Sequence, residues 1–239
     1  MEPIYKHQFT VSEIHVDRFG RVKPSVLLYF VQEAAGYHCS LLAVDHDTLS
    51  HKHLFWAVTR TRVQITRLPR LGEKVFIETW PMPTTRVAYP RSVVAYDENG
   101  QELFRSISLW VLMDERSRAM ILPGKSGITV DGTITGRGLT VPRAIAARPM
   151  ANAKPCAVGY SLLDRNGHMN NTRYMDWVDD LLASDFHREH PVQEFTLCYL
   201  SEAREGDEIT LRYELSDGPV LTVDATRGDE RIFSAQILY

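Results

Sequence analysis

Residues 164–174 read Asp-Arg-Asn-Gly-His-Met-Asn-Asn-Thr-Arg-Tyr. Asp164, Asn166 and His168 occupy alternate positions, and alternate side chains of an extended segment share one face. A carboxylate, an amide and an imidazole could therefore converge. Asn170 and Asn171 follow at the start of a predicted helix, where an Asn oxygen caps an orphan backbone N–H and the helix end favours an anion. The stretch is either an elaborate capped turn or a site that holds an oxyanion and moves a proton. In the second case the chemistry is hydrolysis of an activated acyl group. His168 or a carboxylate would take a proton from water, a step worth ~10²–10⁴-fold. Asn166 and helical N–H groups would hold the oxyanion, where one donor is worth roughly 2.7–4 kcal/mol. No G-x-S-x-G elbow occurs, which leaves no serine nucleophile of that kind. His46, His51 and His53 lie near Asp45 and Asp47 but match no zinc spacing, so they read as a polar loop. Neither a metal nor another cofactor is expected. Cys156 and Cys198 fall in apolar strand patterns and read as core thiols.

The elements that would position this stretch come in two sets. In the first, an alternating segment over 5–17 precedes a helix over 25–43, with Leu27, Val31, Ala34 and His38 at helical spacing. The apolar run 26–31 implies burial on more than one side. Strands follow over 55–68, 74–81, 86–96 and 102–113, the last two joined by a turn whose Asn99-Gly100 pair is a hairpin signal. Residues 123–154 are punctuated by Pro and Gly and read as a long crossover, of the kind that links two similar units. The second set is a short strand over 156–160, a helix over 172–186 and strands over 194–202, 208–214, 221–227 and 231–238.

Strand, helix and four strands thus appear twice, and a repeat decides the fold. Asp17-Arg18-Phe19-Gly20 precedes Asp164-Arg165-Asn166-Gly167 by 147 residues, and Leu71-Gly72-Glu73 precedes Glu205-Gly206-Asp207 by 134. The polar groups are not repeated. Phe19 stands opposite Asn166, Arg21 opposite His168, and Leu68 opposite Glu202. A motif needed only for folding would recur in both halves, so this asymmetry favours a functional site in the second.

The chain has 239 residues, a net charge of −3, 44% apolar and 24% charged residues. That balance suits a globular core and excludes a nucleic-acid binder driven by phosphate neutralisation. Three dispersed cysteines, Cys39, Cys156 and Cys198, suit reduced thiols in a cytoplasmic protein. No secretory signal is visible, and no apolar run is long enough for a membrane span. Arginines cluster loosely at Arg60, Arg62, Arg67 and Arg70, and at Arg137, Arg143 and Arg148. They read as solvated charge or as a patch for an acidic or phosphorylated partner.

The run Asp164-x-Asn166-x-His168-x-Asn170-Asn171-x-x-Tyr174 resembles the signature of the acyl-ACP thioesterases, and Tyr199-x-x-Glu202 with Gly206-Asp207 resembles that family's second landmark. The resemblance spans essentially the whole chain. It implies an α+β fold, a double hotdog, in which each of two tandem units is an antiparallel sheet wrapped around a long central helix. Residues 1–122 would be a catalytically silent unit supplying the acyl pocket, 123–154 the linker, and 155–239 the catalytic unit. It further implies a catalytic set of Asp164, Asn166, His168 and Glu202, with acylated acyl carrier protein as partner and the free fatty acid as product. Plant members carry a Cys after the catalytic Glu; Ala203 stands there in this chain, which favours water attack assisted by Glu202 and His168. Plant members also begin with a plastid transit peptide, which this chain does not display, so a bacterial, cytoplasmic form is expected.

Leu27, Phe30, Val31 and Ala34, with the strand at Phe55-Trp56, are the candidate acyl-binding residues, or else plain core. Each buried methylene is worth ~0.8 kcal/mol, so such a pocket would measure chain length. Asn170 and Asn171 are candidates for substrate contact. An acyl-CoA thioesterase, a hotdog dehydratase and a non-catalytic acyl-binding protein remain alternatives. The molecule would be a monomer of two hotdog units or a homodimer of such chains.

Overall fold

In the computed structural model, residues 3–239 are described; Met1 and Glu2 lie outside them. The chain divides into two compact units, one of residues 1–23 and 27–141 and the other of 24–26 and 142–239.

The first unit contains β1 (Tyr5–Thr10), β2 (Leu54–Ile65), β3 (Lys74–Pro81), β4 (Tyr89–Tyr96), β5 (Glu102–Asp114) and the short β6 (Met120–Ile121). They pair antiparallel in the order β1-β3-β4-β5-β2, with β6 on β5. Helix α1 (Pro24–Leu41) starts on Pro24, whose missing N–H costs nothing in a first turn. Leu27, Phe30 and Ala34 are fully buried and Val31 nearly so. Phe30 stacks on Phe9 of β1 at 4.4 Å. Helix α2 (His46–Ser50) occupies the region expected as a polar loop, because Asp45 caps it by accepting the Thr48 N–H. A single turn, α3 (Pro123–Ser126), lies where the crossover begins.

The second unit contains β7 (Asn152–Ala157), β8 (Glu194–Tyr199), β9 (Glu208–Leu215), β10 (Val220–Arg227) and β11 (Glu230–Leu238). Their antiparallel order is β8-β11-β10-β9-β7. The helix expected as one piece over 172–186 is two short ones, α4 (Arg173–Asp179) and α5 (Ser184–Glu189). Asp179 and Asp180 crowd the end of α4, where the helix dipole disfavours negative charge. Ala183 is then extended, with ψ 154°. Tyr174 of α4 stacks on Phe233 of β11 at 4.6 Å, and Phe186 of α5 meets Tyr239 edge-on at 5.0 Å.

The duplication holds at the level of hydrogen bonds. The turn at Asp17 closes through the Asp17 N–H to Arg21 O at 2.7 Å, and the turn at Asp164 through the Asp164 N–H to His168 O at 2.8 Å. Gly20 (φ 72°) and Gly167 (φ 75°) both take the left-handed conformation these turns require. The bridges Val16–Val22 and Arg21–Arg70 recur as Leu163–Met169 and His168–Arg204. Tyr5 opposite Thr79 likewise recurs as Asn152 opposite Tyr213. The strand expected over 5–17 ends at Thr10 and is followed by a 3-10 turn, Glu13–His15, mirrored by Tyr160–Leu162. Ser12 and His15 bond to each other there, a local alternative to continued strand pairing.

The crossover has no regular element between Gly127 and Ala151. Arg137 fixes its first part within the first unit by bonding Glu78 Oε2 at 2.6 Å and Tyr96 Oη at 3.0 Å while covering Trp80. Gly132 lies so close to the Met82–Pro83 backbone that a Cβ would fall 2.2 Å from Pro83 N. Arg148 makes the equivalent tie in the second unit, donating to Thr222 Oγ1 at 2.7 Å. These two arginines have partners within their own units and do not constitute a free basic patch.

Candidate active site

The site is assembled by the bridge between His168 and Arg204, flanked by the Met169 N–H donated to Ala203 O at 2.8 Å. That pairing brings the turn at Asp164 against the chain leaving β8. His168 Nε2 then lies 3.0 Å from Glu202 Oε2, the imidazole well buried and the carboxylate about one third exposed. A carboxylate only accepts, so Nε2 carries the proton in this contact. Arg204 Nη2 lies 3.5 Å from the same oxygen. The dyad is half-sheltered, within reach of water yet not bathed in it.

Asp164 orients the backbone of its own turn. Its Oδ1 accepts the backbone N–H of Asn166 at 2.8 Å and of His168 at 3.4 Å. Asp17 does the same for Phe19 at 2.8 Å and Arg21 at 3.0 Å. This carboxylate therefore braces a turn common to both units. Its counterpart Asp17 also accepts the side chain of Arg21 through Nε and Nη2, at 3.1 and 3.0 Å.

Asn166 is exposed at the tip of the turn. Its backbone N–H is used by Asp164, and its side-chain amide makes no hydrogen bond among the described residues. Asn170 spends its Oδ1 on the Thr172 N–H (2.9 Å) and hydroxyl (2.8 Å), and its carbonyl on the Arg173 N–H. The N–H groups of Thr172, Arg173 and Met175 at the start of α4 thus already have acceptors, which leaves few donors there for an oxyanion. Asn171 offers its carbonyl to the Tyr199 hydroxyl at 3.0 Å, which ties β8 to the approach to α4. Burial pushes the Tyr199 and Tyr174 phenols well above their ordinary value, so both stay neutral.

Arg227 is a residue the sequence reading did not identify. Nη1 donates to Glu202 O at 3.2 Å and Asp207 Oδ2 at 2.6 Å, while Nη2 donates to Glu230 Oε2 at 2.6 Å. It clamps the backbone that carries Glu202. Burial alone would raise the Asp207 pKa, but hydrogen bonds from the Arg204 N–H and the Arg227 guanidinium outweigh it and hold the carboxyl below its usual value. The strand spacing that puts Arg227 at the end of β10 carried no signal for this role.

The first unit holds a separate feature, a cavity of ≈ 210 Å³ walled by Val44, Trp56, Tyr89, Trp110 and Val130, with Arg91 on its lining. Of the expected acyl-binding residues, Trp56 lines it, and its indole N–H is fixed on Val44 O at 2.8 Å. Leu27, Phe30, Val31 and Ala34 do not line it; they are core residues of α1. The helix presents Gln32, Ala35, Gly36 and Cys39 to the cavity instead. Among the described residues no group of three or more His, Cys, Asp or Glu side chains is placed to hold a metal ion. None of the described helices is long and apolar enough to cross a membrane. Cys198 is buried, and burial raises the pKa of Cys156.

Residues 2–122 match the family described as acyl-ACP thioesterase N-terminal domain, and residues 146–236 match acyl-ACP thioesterase C-terminal domain. Oleoyl-acyl carrier protein thioesterase 1 of Arabidopsis thaliana is 24% identical over 227 residues, covering 86% of this chain and 62% of that protein. Dodecanoyl-[acyl-carrier-protein] hydrolase of Cinnamomum camphora is 24% identical over 220 residues, covering 83% and 56%. The chain spans about half to three fifths of the length of such relatives. An acyl-ACP thioesterase from Bacteroides thetaiotaomicron superposes with a TM-score of 0.90 at 24% identity, covering 99% of this chain and 97% of that one. The 12:0-ACP thioesterase of Umbellularia californica superposes at 0.85 with 21% identity, covering 100% and 97%. The fold is therefore that of the acyl-ACP thioesterase structures, α+β of the hotdog type.

Proposed function

This chain belongs to the acyl-ACP thioesterase family, and we propose that it hydrolyses the thioester of fatty acyl-acyl carrier protein to release the free fatty acid. The observation that carries the reading is the 3.0 Å contact of His168 Nε2 with Glu202 Oε2, placed where the first unit has Arg21 and Leu68. That pair is equipped for acid–base work and its counterpart is not.

In the proposed reaction Glu202 and His168 together take a proton from water as its oxygen attacks the thioester carbonyl carbon. An isolated Glu with a pKa near ~4.3 is a weak base at neutral pH. The His168 Nε2–H holds the carboxylate in place toward the water, and the proton taken from water passes on to the departing thiolate. Asn166, whose amide is otherwise uncommitted, donates to the carbonyl oxygen as it becomes an oxyanion. Asp164 and Arg227 are positioning residues: one braces the turn bearing Asn166 and His168, the other the strand end bearing Glu202. Asn170 and Asn171 act through the approach to α4. The first unit is assigned no acid–base role, and its cavity, with Trp56 in the wall, is the candidate for an acyl chain.

The test is release of free thiol from a panel of acyl-ACPs and acyl-CoAs of varied length. Hydrolysis of acyl-ACP that disappears in Glu202→Gln supports the proposal. Hydrolysis of acyl-CoA alone would replace the carrier, and no release of thiol from either would leave an acyl-binding protein. The assay is run in dilute cytosol-like buffer, since a cytoplasmic setting and a carrier-protein partner form part of the same reading. Sizing by light scattering separates a single chain from a homodimer.

A further inference from the structure

Arg91 of β4 is 6% exposed and its guanidinium is bonded wholly to neutral groups. Nη1 donates to His38 Nδ1 at 3.1 Å and to Thr79 Oγ1 at 3.2 Å, and Nη2 lies 3.6 Å from Cys39 Sγ. Arginine only donates, so His38 accepts at Nδ1 and its ring is neutral. Burial raises the Cys39 pKa despite the adjacent guanidinium, so Cys39 is a thiol and not a counter-anion. Asp45 also lies on the cavity lining, but its Oδ1 caps α2 and no ion pair joins it to Arg91. A buried charge ordinarily has a charged partner, and among the described residues no carboxylate lies within ion-pair distance of this one.

The cavity beside it supplies the other half of a ligand. Val44, Trp56, Tyr89, Trp110 and Val130 make its wall apolar. A volume of ≈ 210 Å³ is many times what a single water needs, enough for the head and first carbons of a short fatty acid. We propose that this cavity binds a free aliphatic monocarboxylate, with its carboxylate on the Arg91 guanidinium and its chain along Trp56 and Trp110. A carboxylate restores the missing anion through charge-assisted hydrogen bonds, and the chain buries apolar surface. The ligand class is that of the proposed reaction's product, but binding in this cavity requires no hydrolysis.

Octanoate and 1-octanol are titrated into the full chain, read by tryptophan fluorescence because Trp56 and Trp110 line the cavity. Octanoate is expected to bind about tenfold tighter than the alcohol, the discrimination of one charge-assisted contact, and Arg91→Met is expected to erase that preference. Gly36 lies on the lining, and a Cβ there meets nothing within 4 Å. Gly36→Leu therefore places its Cβ on the lining without a clash and is expected to abolish the octanoate response, its folding checked by a melting curve, even if Arg91→Met does not fold. Equal binding of acid and alcohol overturns the carboxylate site, while leaving the acyl-chain role of the cavity and the thioesterase reading standing. Octanoate binding that survives Gly36→Leu overturns the location. Loss of acyl-ACP hydrolysis would bear on the thioesterase reading alone.

Discussion

His168 Nε2 lies 3.0 Å from Glu202 Oε2, and the two residues meet because Arg204 and His168 form a bridge between segments that are distant in sequence. The contact pairs a base with a proton carrier, and the backbone on each side is separately braced. Glu202→Gln keeps an oxygen to accept the Nε2–H but removes the charge. The expected result is a fall in kcat of about 10²–10⁴-fold with KM little changed, measured as thiol released from acyl-ACP. Near-normal turnover would remove Glu202 from the mechanism.

Asn166→Ala separates transition-state stabilisation from folding. The side chain is exposed, and the turn is held by the backbone N–H bond to Asp164, so the melting temperature should not move. Loss of one oxyanion donor should lower kcat by about 10²–10³-fold. A change in KM alone would assign Asn166 to ground-state binding instead.

Asp17 and Asp164 make the same turn bonds, so alanine at either should cost about 1 kcal/mol by denaturant titration. The activities should diverge. Asp164→Ala should depress turnover because it loosens Asn166 and His168, whereas Asp17→Ala should leave kcat intact. Equal losses of activity would give the first turn a catalytic part.

The acid limb of stability should depend on Asp207. Its folded pKa lies below the unfolded value of 3.8, so the stability it contributes is complete above that value and is lost as pH falls through the folded pKa. Asp207→Asn should therefore be less stable than the parent chain at pH 7, and the gap should close below about pH 4. Melting temperatures across pH 2–8 check this, and a gap that widened in acid would contradict the assigned sign.

Much of this was legible in sequence because it is local. The alternation and flanking Gly72 located β3, and Asn99-Gly100 located the turn between β4 and β5. The shared Asp-Arg-x-Gly turns gave the repeat, and the differences at Arg21 and Leu68 pointed to His168 and Glu202. The break at Ala183 was masked by a helical apolar spacing that continues through Leu181 and Leu182, while the opposing charge of Asp179 and Asp180 carries no periodic signal. Alternation over residues 11–16 hid a 3-10 turn held by Ser12 and His15. The clamp of Arg227 and the cavity beside Arg91 depend on strands paired far apart in sequence. The face of α1 turned to that cavity is not the most apolar one, so periodicity pointed to Phe30 and Ala34 in place of Gly36 and Cys39.

The turns at Asp17 and Asp164 keep the same backbone bonds although one ends in arginine and the other in histidine. Such a mount is indifferent to its cargo. After a gene doubles, one copy of the mount can lose or exchange its reactive group while the backbone bonds of the turn persist, which leaves the other copy free to specialise. For the engineer, the first turn is a vacant berth at which Arg21→His with Leu68→Glu would install a second dyad on a backbone already shaped to carry it.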